Sequence, residues 1–182
     1  TYGGSSNEMI NDVQQTADSG FVMVGRTKSY GPGFMNILVI KTDRNGLLTW
    51  SKAYGGSVEQ SGYSIQQTAD GGYVVCGWST SFSGGAFVMK LDGNGSLLWA
   101  KNYGGIYDVA YHIEKTRDGG FILTGDNFTS GGIFLLKTDG LGNPLWEKTY
   151  GVGGGENGFS VQQTMDGGYV VLGTNYSQDL YL

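Results

Sequence analysis

The sequence predicts an all-β protein built from about four copies of one four-stranded antiparallel unit, and three observations predict it. One apolar core recurs four times, as VQQTADSGFVMVG from Val13, IQQTADGGYVVCG from Ile65, IEKTRDGGFILTG from Ile113 and VQQTMDGGYVVLG from Val161, at steps of 52, 48 and 48 residues. A second core lies between these copies, as KTDRNGLLTWSKAYGG from Lys41, KLDGNGSLLWAKNYGG from Lys90 and KTDGLGNPLWEKTYG from Lys137, at steps of 49 and 47. Two interleaved cores with one period describe a single repeated unit. Finally, no segment carries a sustained helical period, whereas short runs rich in valine, isoleucine, leucine and aromatics are bounded by glycine or aspartate turns.

Each unit reads as four strands. In the second copy these are Tyr63–Thr68, Tyr73–Thr80, Ala86–Asp92 and Leu97–Tyr103. The first hairpin closes on Asp-Gly at Asp70, Asp118 and Asp166, and on Asp18-Ser19 in the first copy. Asp-Gly suits the positive φ of a tight hairpin, and each aspartate is expected to cap its own turn. The second hairpin closes on Asn45-Gly46, Asn94-Gly95 and Leu141-Gly142. Continuous apolar runs such as Tyr73–Cys76 and Phe134–Leu136 predict strands buried on both faces. One four-stranded sheet cannot bury both faces by itself, so neighbouring units must stack around an axis. That is the blade of a β-propeller, and the expected blades are residues 5–56, 57–105, 106–151 and 152–182. Asp179–Leu182 matches a third strand, so the last blade lacks its outer strand, and the chain is expected to be a segment of a longer array.

Composition narrows function. Thirty-four glycines fall in clusters with no Gly-X-Y period, which excludes collagen, and 39% hydrophobic with 15% charged residues excludes a disordered chain. A net charge of −5 disfavours nucleic acid, which needs a lysine- and arginine-rich face. No apolar run is long enough to insert in a membrane as a helix.

The run YGG, a polar stretch, then I/V-x-x-T-x-D-G-G-Y/F-V-x-x-G resembles the repeats of secreted bacterial and archaeal propellers, the SBBP-type repeat. The third-to-fourth-strand hairpin is similar to the pyrroloquinoline-quinone propeller repeat, with Asp43, Gly46 and Trp50, then Asp92, Gly95 and Trp99, then Asp139, Gly142 and Trp146, though its turn is shorter. The resemblance implies a secreted or cell-surface scaffold and no particular ligand.

Residues recurring in every blade are expected to be architectural. Trp50, Trp99 and Trp146 should pack between sheets, and Cys76, aligned with Val24, Thr124 and Leu172, should be a buried apolar residue. His112 stands at a variable polar position and reads as incidental; one histidine supports no catalytic residue, metal site or cofactor. The inter-blade loops each carry an acid, Glu8, Glu59, Asp108 and Glu156, and the loops between second and third strands each carry an aromatic, Tyr30, Phe82, Phe128 and Tyr176. Both loop sets lie on one face of a propeller. That mixture suits a sugar, a cation or a partner loop, and the competing reading has the acids capping backbone N–H groups and the aromatics wedging between blades. Trp78 aligns with Arg26, Asp126 and Thr174, so no repeat rule demands it, and it is expected to be a binding hot spot. The expected function is a non-enzymatic, extracellular or cell-surface scaffold presenting loops to a glycan or protein partner. The rival is a structural module that self-associates through the open edge of its last blade.

Overall fold

In the computed structural model, which describes residues 2–80, 84–151, 155–174 and 180–181, the chain folds into four antiparallel sheets with no helix among the described residues. The first sheet holds β1 (Glu8–Gln15), β2 (Phe21–Thr27), β3 (Asn36–Thr42) and β4 (Leu48–Tyr54). The second holds β5 (Gln60–Gln67), β6 (Tyr73–Ser79), β7 (Gly85–Leu91) and β8 (Leu97–Tyr103). The third holds β9 (Val109–Lys115), β10 (Phe121–Asp126), β11 (Ile133–Thr138) and β12 (Pro144–Tyr150). The fourth holds β13 (Asn157–Gln163), β14 (Tyr169–Thr174) and β15 (Leu180–Tyr181), the last pairing with β14 as the third strand expected there. Within each sheet the strands are bonded in chain order.

The hairpins follow the turn chemistry. The Ser19 N–H donates to the Thr16 carbonyl, and equivalent bonds run from Gly71, Gly119 and Gly167 to Thr68, Thr116 and Thr164. The glycines sit at φ of +77°, +82° and +90°, and Ser19 takes their place at +65°. The aspartates before them are not in the left-handed region, so each loop has one such residue instead of the two a type I′ turn requires. Each aspartate caps its turn as expected: Asp18 Oδ1 accepts from the Gly20 N–H at 3.0 Å.

A second partner was not legible in the sequence. Lys41, Lys90 and Lys137, one per third strand, are buried, and their ammonium groups reach Asp18, Asp70 and Asp118 at 2.8, 2.9 and 2.9 Å. Each lysine also donates to the next residue's carbonyl, on Thr42, Leu91 or Thr138. The pair ties the first hairpin to the third strand in three successive sheets.

The sheets stack face to face through their inner strands. Val22, Val24, Ile37 and Val39 of the first sheet meet Ile65, Tyr73, Val75, Phe87, Met89 and Leu91 of the second in one core. Val74, Cys76, Ala86 and Val88 meet Ala110, Ile113, Phe121, Leu123, Phe134 and Leu136 of the third in another. Ile122 and Leu135 meet Val161, Tyr169 and Val171 of the fourth. The expectation of strands buried on both sides holds at Tyr73–Cys76, each at most 2% exposed.

The junctions are narrow at one edge and wide at the other. The first strands pack on one another in series, β1 on β5, β5 on β9 and β9 on β13. The fourth strands β4, β8 and β12 do not pack on each other in this way, and tryptophan and tyrosine fill the space between them. The Trp50 ring meets Tyr73 edge-on at 5.9 Å and Trp146 meets Tyr169 at 5.6 Å, so the tryptophans pack between sheets as expected. The Tyr54 hydroxyl donates to the Gly95 carbonyl and that of Tyr103 to Gly142, at 2.6 and 2.7 Å.

Polar side chains also bridge the first strands. The Ile65 N–H donates to Asp12 Oδ2 at 2.9 Å, and the equivalent Val161 N–H donates to His112 Nδ1 at 3.2 Å. His112 is therefore an inter-sheet acceptor and not the incidental residue its variable position implied. Burial lowers its pKa, which suits the neutral ring an acceptor nitrogen needs. In the reverse direction, the Ala17 and Arg117 N–H groups donate to the side-chain carbonyls of Gln67 and Gln163 at 2.8 and 3.0 Å.

Two predictions follow from the hairpin end. Ser19→Gly relieves a left-handed conformation that costs an L-residue roughly 1 kcal/mol, so the melting temperature should rise by about 2–4 °C. Asp118→Asn leaves the Lys137 ammonium buried without its charge partner and should cost about 1–3 kcal/mol at neutral pH. The Thr116 hydroxyl, first, and Lys137 hold the Asp118 carboxyl down to about 2. A depressed carboxylate stabilises the fold above its unfolded value near 4 and loses that contribution as pH falls toward 2. Melts recorded from pH 7 to pH 2 should show wild type and variant converging in acid.

Candidate functional site

The loop end of the sheets is where sequence reasoning placed the site, and the two loop sets do meet there. The Thr129 hydroxyl, between second and third strands, lies 3.2 Å from Asp108 in an inter-sheet loop, and the Tyr30 hydroxyl donates to the Gly3 carbonyl at 2.9 Å. The acids, however, are engaged as caps. Asp108 Oδ2 accepts from the Gly105 N–H at 2.6 Å, and Glu8 accepts from the Gly4 N–H at 3.2 Å and from the Thr27 hydroxyl at 2.9 Å. Asp108 and Glu156 are buried, and Glu156 packs under Gly151. In the second unit the matching position is Gln60, not Glu59: its side-chain carbonyl accepts from the Gly56 N–H at 3.1 Å. Glu59 is one residue away, and its backbone carbonyl takes the Thr80 N–H. An amide serves as well as a carboxylate here, so the task is capping.

Two of the four loop aromatics are described, and no ring contact joins them. Tyr30 is half exposed and held by Gly3, Phe128 is 64% exposed, and Phe82 and Tyr176 lie outside the described residues. Trp78 stands half-buried on β6, in register with Ser61 on one side and Ala86 on the other. Asp43, Asp92 and Asp139 at the opposite end accept backbone N–H groups of their own turns, from Asn45, Asn94 and Leu141 among others, so they cap their hairpins. Cys76 is buried and burial pushes its thiol up, out of the range of a nucleophile.

A feature the sequence reading missed lies beside Trp78. Every first strand carries a β-bulge at the same place, and the bulged residues are Asn11, Tyr63, Tyr111 and Phe159. Next to the bulge, the second strand carries Gly25, Gly77, Gly125 or Gly173. A Cβ on Gly77 would lie 2.0 Å from the Ser61 carbonyl oxygen, and on Gly125 1.8 Å from that of Val109, so only glycine admits the distorted strand so close. Because the first strands lie side by side, the bulged residues form a row across the sheets. The Tyr63 and Tyr111 rings meet edge-on at 5.2 Å, and Tyr111 and Phe159 at 5.9 Å. Asn11 ends the row and donates to the Gly62 carbonyl at 2.7 Å.

A second row runs alongside on the second strands: Arg26, Trp78, Asp126 and Thr174. The rows touch in the third sheet, where the Tyr111 hydroxyl donates to Asp126 Oδ2 at 3.2 Å. Asp126 is 4% exposed, and its other oxygen is buried without a hydrogen-bond partner. Burial, with the Asp108 charge nearby, pushes its carboxyl up to about 6 despite the Tyr111 bond. The alignment that singled out Trp78 contained this signal at position 126, and the repeat alignment at Asn11, Tyr63, Tyr111 and Phe159 contained the aromatic row. No group of metal-ligating side chains occurs among the described residues.

Ionising Asp126 in place destabilises the fold, and the sign follows from its raised value. The destabilisation is absent below about pH 4 and complete above about pH 6. Asp126→Asn keeps an acceptor for Tyr111 and removes the charge. The variant should match wild type at pH 4 and exceed it at pH 7.5 by up to about 3 kcal/mol, read from thermal or urea unfolding at both pH values.

No protein-family model and no curated protein matches the sequence. Among solved structures, the chain is similar to a protein of unknown function from Bacteroides caccae, with a TM-score of 0.58 and 14% identity, over 98% of this chain and 61% of that one. The chain thus spans less than two thirds of that neighbour's length, and at this identity the likeness extends to the all-β fold alone.

Proposed function

We propose that the chain is part of a β-propeller, non-enzymatic and extracellular, that binds a carbohydrate at its loop end beside the first strands. What supports a propeller is the wedge shape of each junction, narrow at the first strands and filled by tryptophan and tyrosine at the fourth. Location outside the cell rests on the resemblance of the repeats to secreted propellers. The observation that carries the binding role is the row of Tyr63, Tyr111 and Phe159, set in register by four aligned bulges, with Trp78 in the adjacent row. Aromatic faces at this spacing stack on the apolar faces of sugar rings, and Arg26 and Asn11 supply polar groups at the same edge.

A glycan array probed with the chain, followed by titration calorimetry on the hits, tests this reading. Trp78→Ala and Tyr63→Ala should each weaken binding about tenfold, equivalent to roughly 1.4 kcal/mol, while the melting curve stays cooperative. An array with no hits, or hits indifferent to both variants, would remove the carbohydrate reading.

A further inference from the structure

Each internal junction buries the front of one sheet on the back of the sheet before it, and among the described residues no sheet covers the front of the first. Val13 is 57% exposed, whereas its equivalents Ile65, Ile113 and Val161 are at 0, 0 and 1%. Phe21 and Met23 are half-buried where Tyr73, Val75, Phe121 and Leu123 are buried. Gln15 is exposed, while its equivalents Gln67 and Gln163 each accept an N–H from the preceding sheet.

Part of this front is already occupied as a preceding sheet would occupy it. The Tyr2 hydroxyl donates to the Gly46 carbonyl, as Tyr54 does to Gly95 and Tyr103 to Gly142. Glu8 caps Gly4 as Gln60 caps Gly56 and Asp108 caps Gly105.

One residue breaks the pattern. Ile10 stands where the later sheets have Gly62, Ala110 and Gly158. A Cβ on Gly62 would lie 2.4 Å from Val24 Cγ2, and one on Gly158 2.4 Å from Thr124 Oγ1, so the junction admits almost no side chain there. The back of the fourth sheet carries Leu172, 41% exposed, at the position of Val24, Cys76 and Thr124, each fully buried. Ile10 facing Leu172 cannot close to the distance at which the first-strand bonds form.

We propose that the front of the first sheet is a docking surface for one further sheet of this same repeat, and that Ile10 selects a sheet with glycine or alanine at the position Leu172 holds here. The back of the fourth sheet, with Leu172 at that position, is thereby disfavoured as the occupant, and association of copies through these two faces is suppressed. Gln162 at the free end is the same residue as Gln14, which accepts the Gln67 N–H across the first junction. Gln15 is the same residue as Gln67 and Gln163.

Sedimentation velocity of the whole chain over a wide concentration range tests the proposal. Wild type should remain monomeric. Ile10→Gly and, separately, Leu172→Ala should each associate at least tenfold more tightly, and adding Val13→Glu to either should return it to monomer. Ile10→Ala, which keeps strand propensity closer to wild type, guards against a folding defect in the glycine variant. The proposal is overturned if wild type associates in a manner that Val13→Glu abolishes. It is overturned equally if the Ile10 and Leu172 variants melt cooperatively yet stay monomeric at every concentration.

Discussion

The structure depends on the burial of both faces of each small sheet against its neighbours. A four-stranded sheet with apolar residues on alternate sides has no solvated face to spare in its inner strands, and β7 and β11 are buried at every position. Neither face can be satisfied within the unit, so each unit is stable through the next. The three cores are consecutive products of this one requirement, and their apolar residues come in matched sets from adjacent sheets.

Close approach at one edge has consequences along the whole junction. Where the first strands touch, only glycine or alanine fits at positions 62, 110 and 158, and polar side chains such as Asp12 and His112 reach across to backbone N–H groups. Where the fourth strands diverge, tryptophans and tyrosines fill the gap, and the hydroxyls of Tyr54 and Tyr103 donate to the next sheet's turn carbonyls. The bulges belong to the same geometry: each kinks a first strand at the narrow edge and carries its side chain into a common row. Packing thus sets where the row lies, while the residue at each bulge varies from asparagine to tyrosine to phenylalanine.

Much of this was legible in the sequence for a physical reason. Period, strand limits and turn residues are local properties repeated three or four times, so Tyr73–Ser79 and Leu97–Tyr103 appear close to where their patterns put them. The tryptophans and the turn aspartates were legible because each recurs at a fixed place. The lysine partners were not, since Lys41 and Asp18 meet across a hairpin and a strand, and charge alone does not distinguish a buried lysine from a solvated one. Glu59 was grouped with Glu8, Asp108 and Glu156 because acidity was the criterion, whereas the shared position requires an acceptor of suitable length, which Gln60 supplies. The bulged row escaped because a bulge shows only in the pairing register, although its invariant glycine partner at 25, 77, 125 and 173 was in plain view.

The two ends of the stack are built on different electrostatic plans. At the hairpin end one ion pair is repeated, a buried lysine on an exposed turn aspartate in each of three sheets. The turn residue after that aspartate is glycine in every sheet but the first, where Ser19 stands. At the loop end the caps are repeated, but the second-strand position beside them changes from arginine to tryptophan to aspartate to threonine. A buried carboxyl held near 6 costs stability at neutral pH, and no packing rule calls for it in one sheet of four. On the proposed binding role, variation laid on a constant frame, at a cost the frame does not require, is what a recognition surface needs and what an inert spacer would lose without penalty.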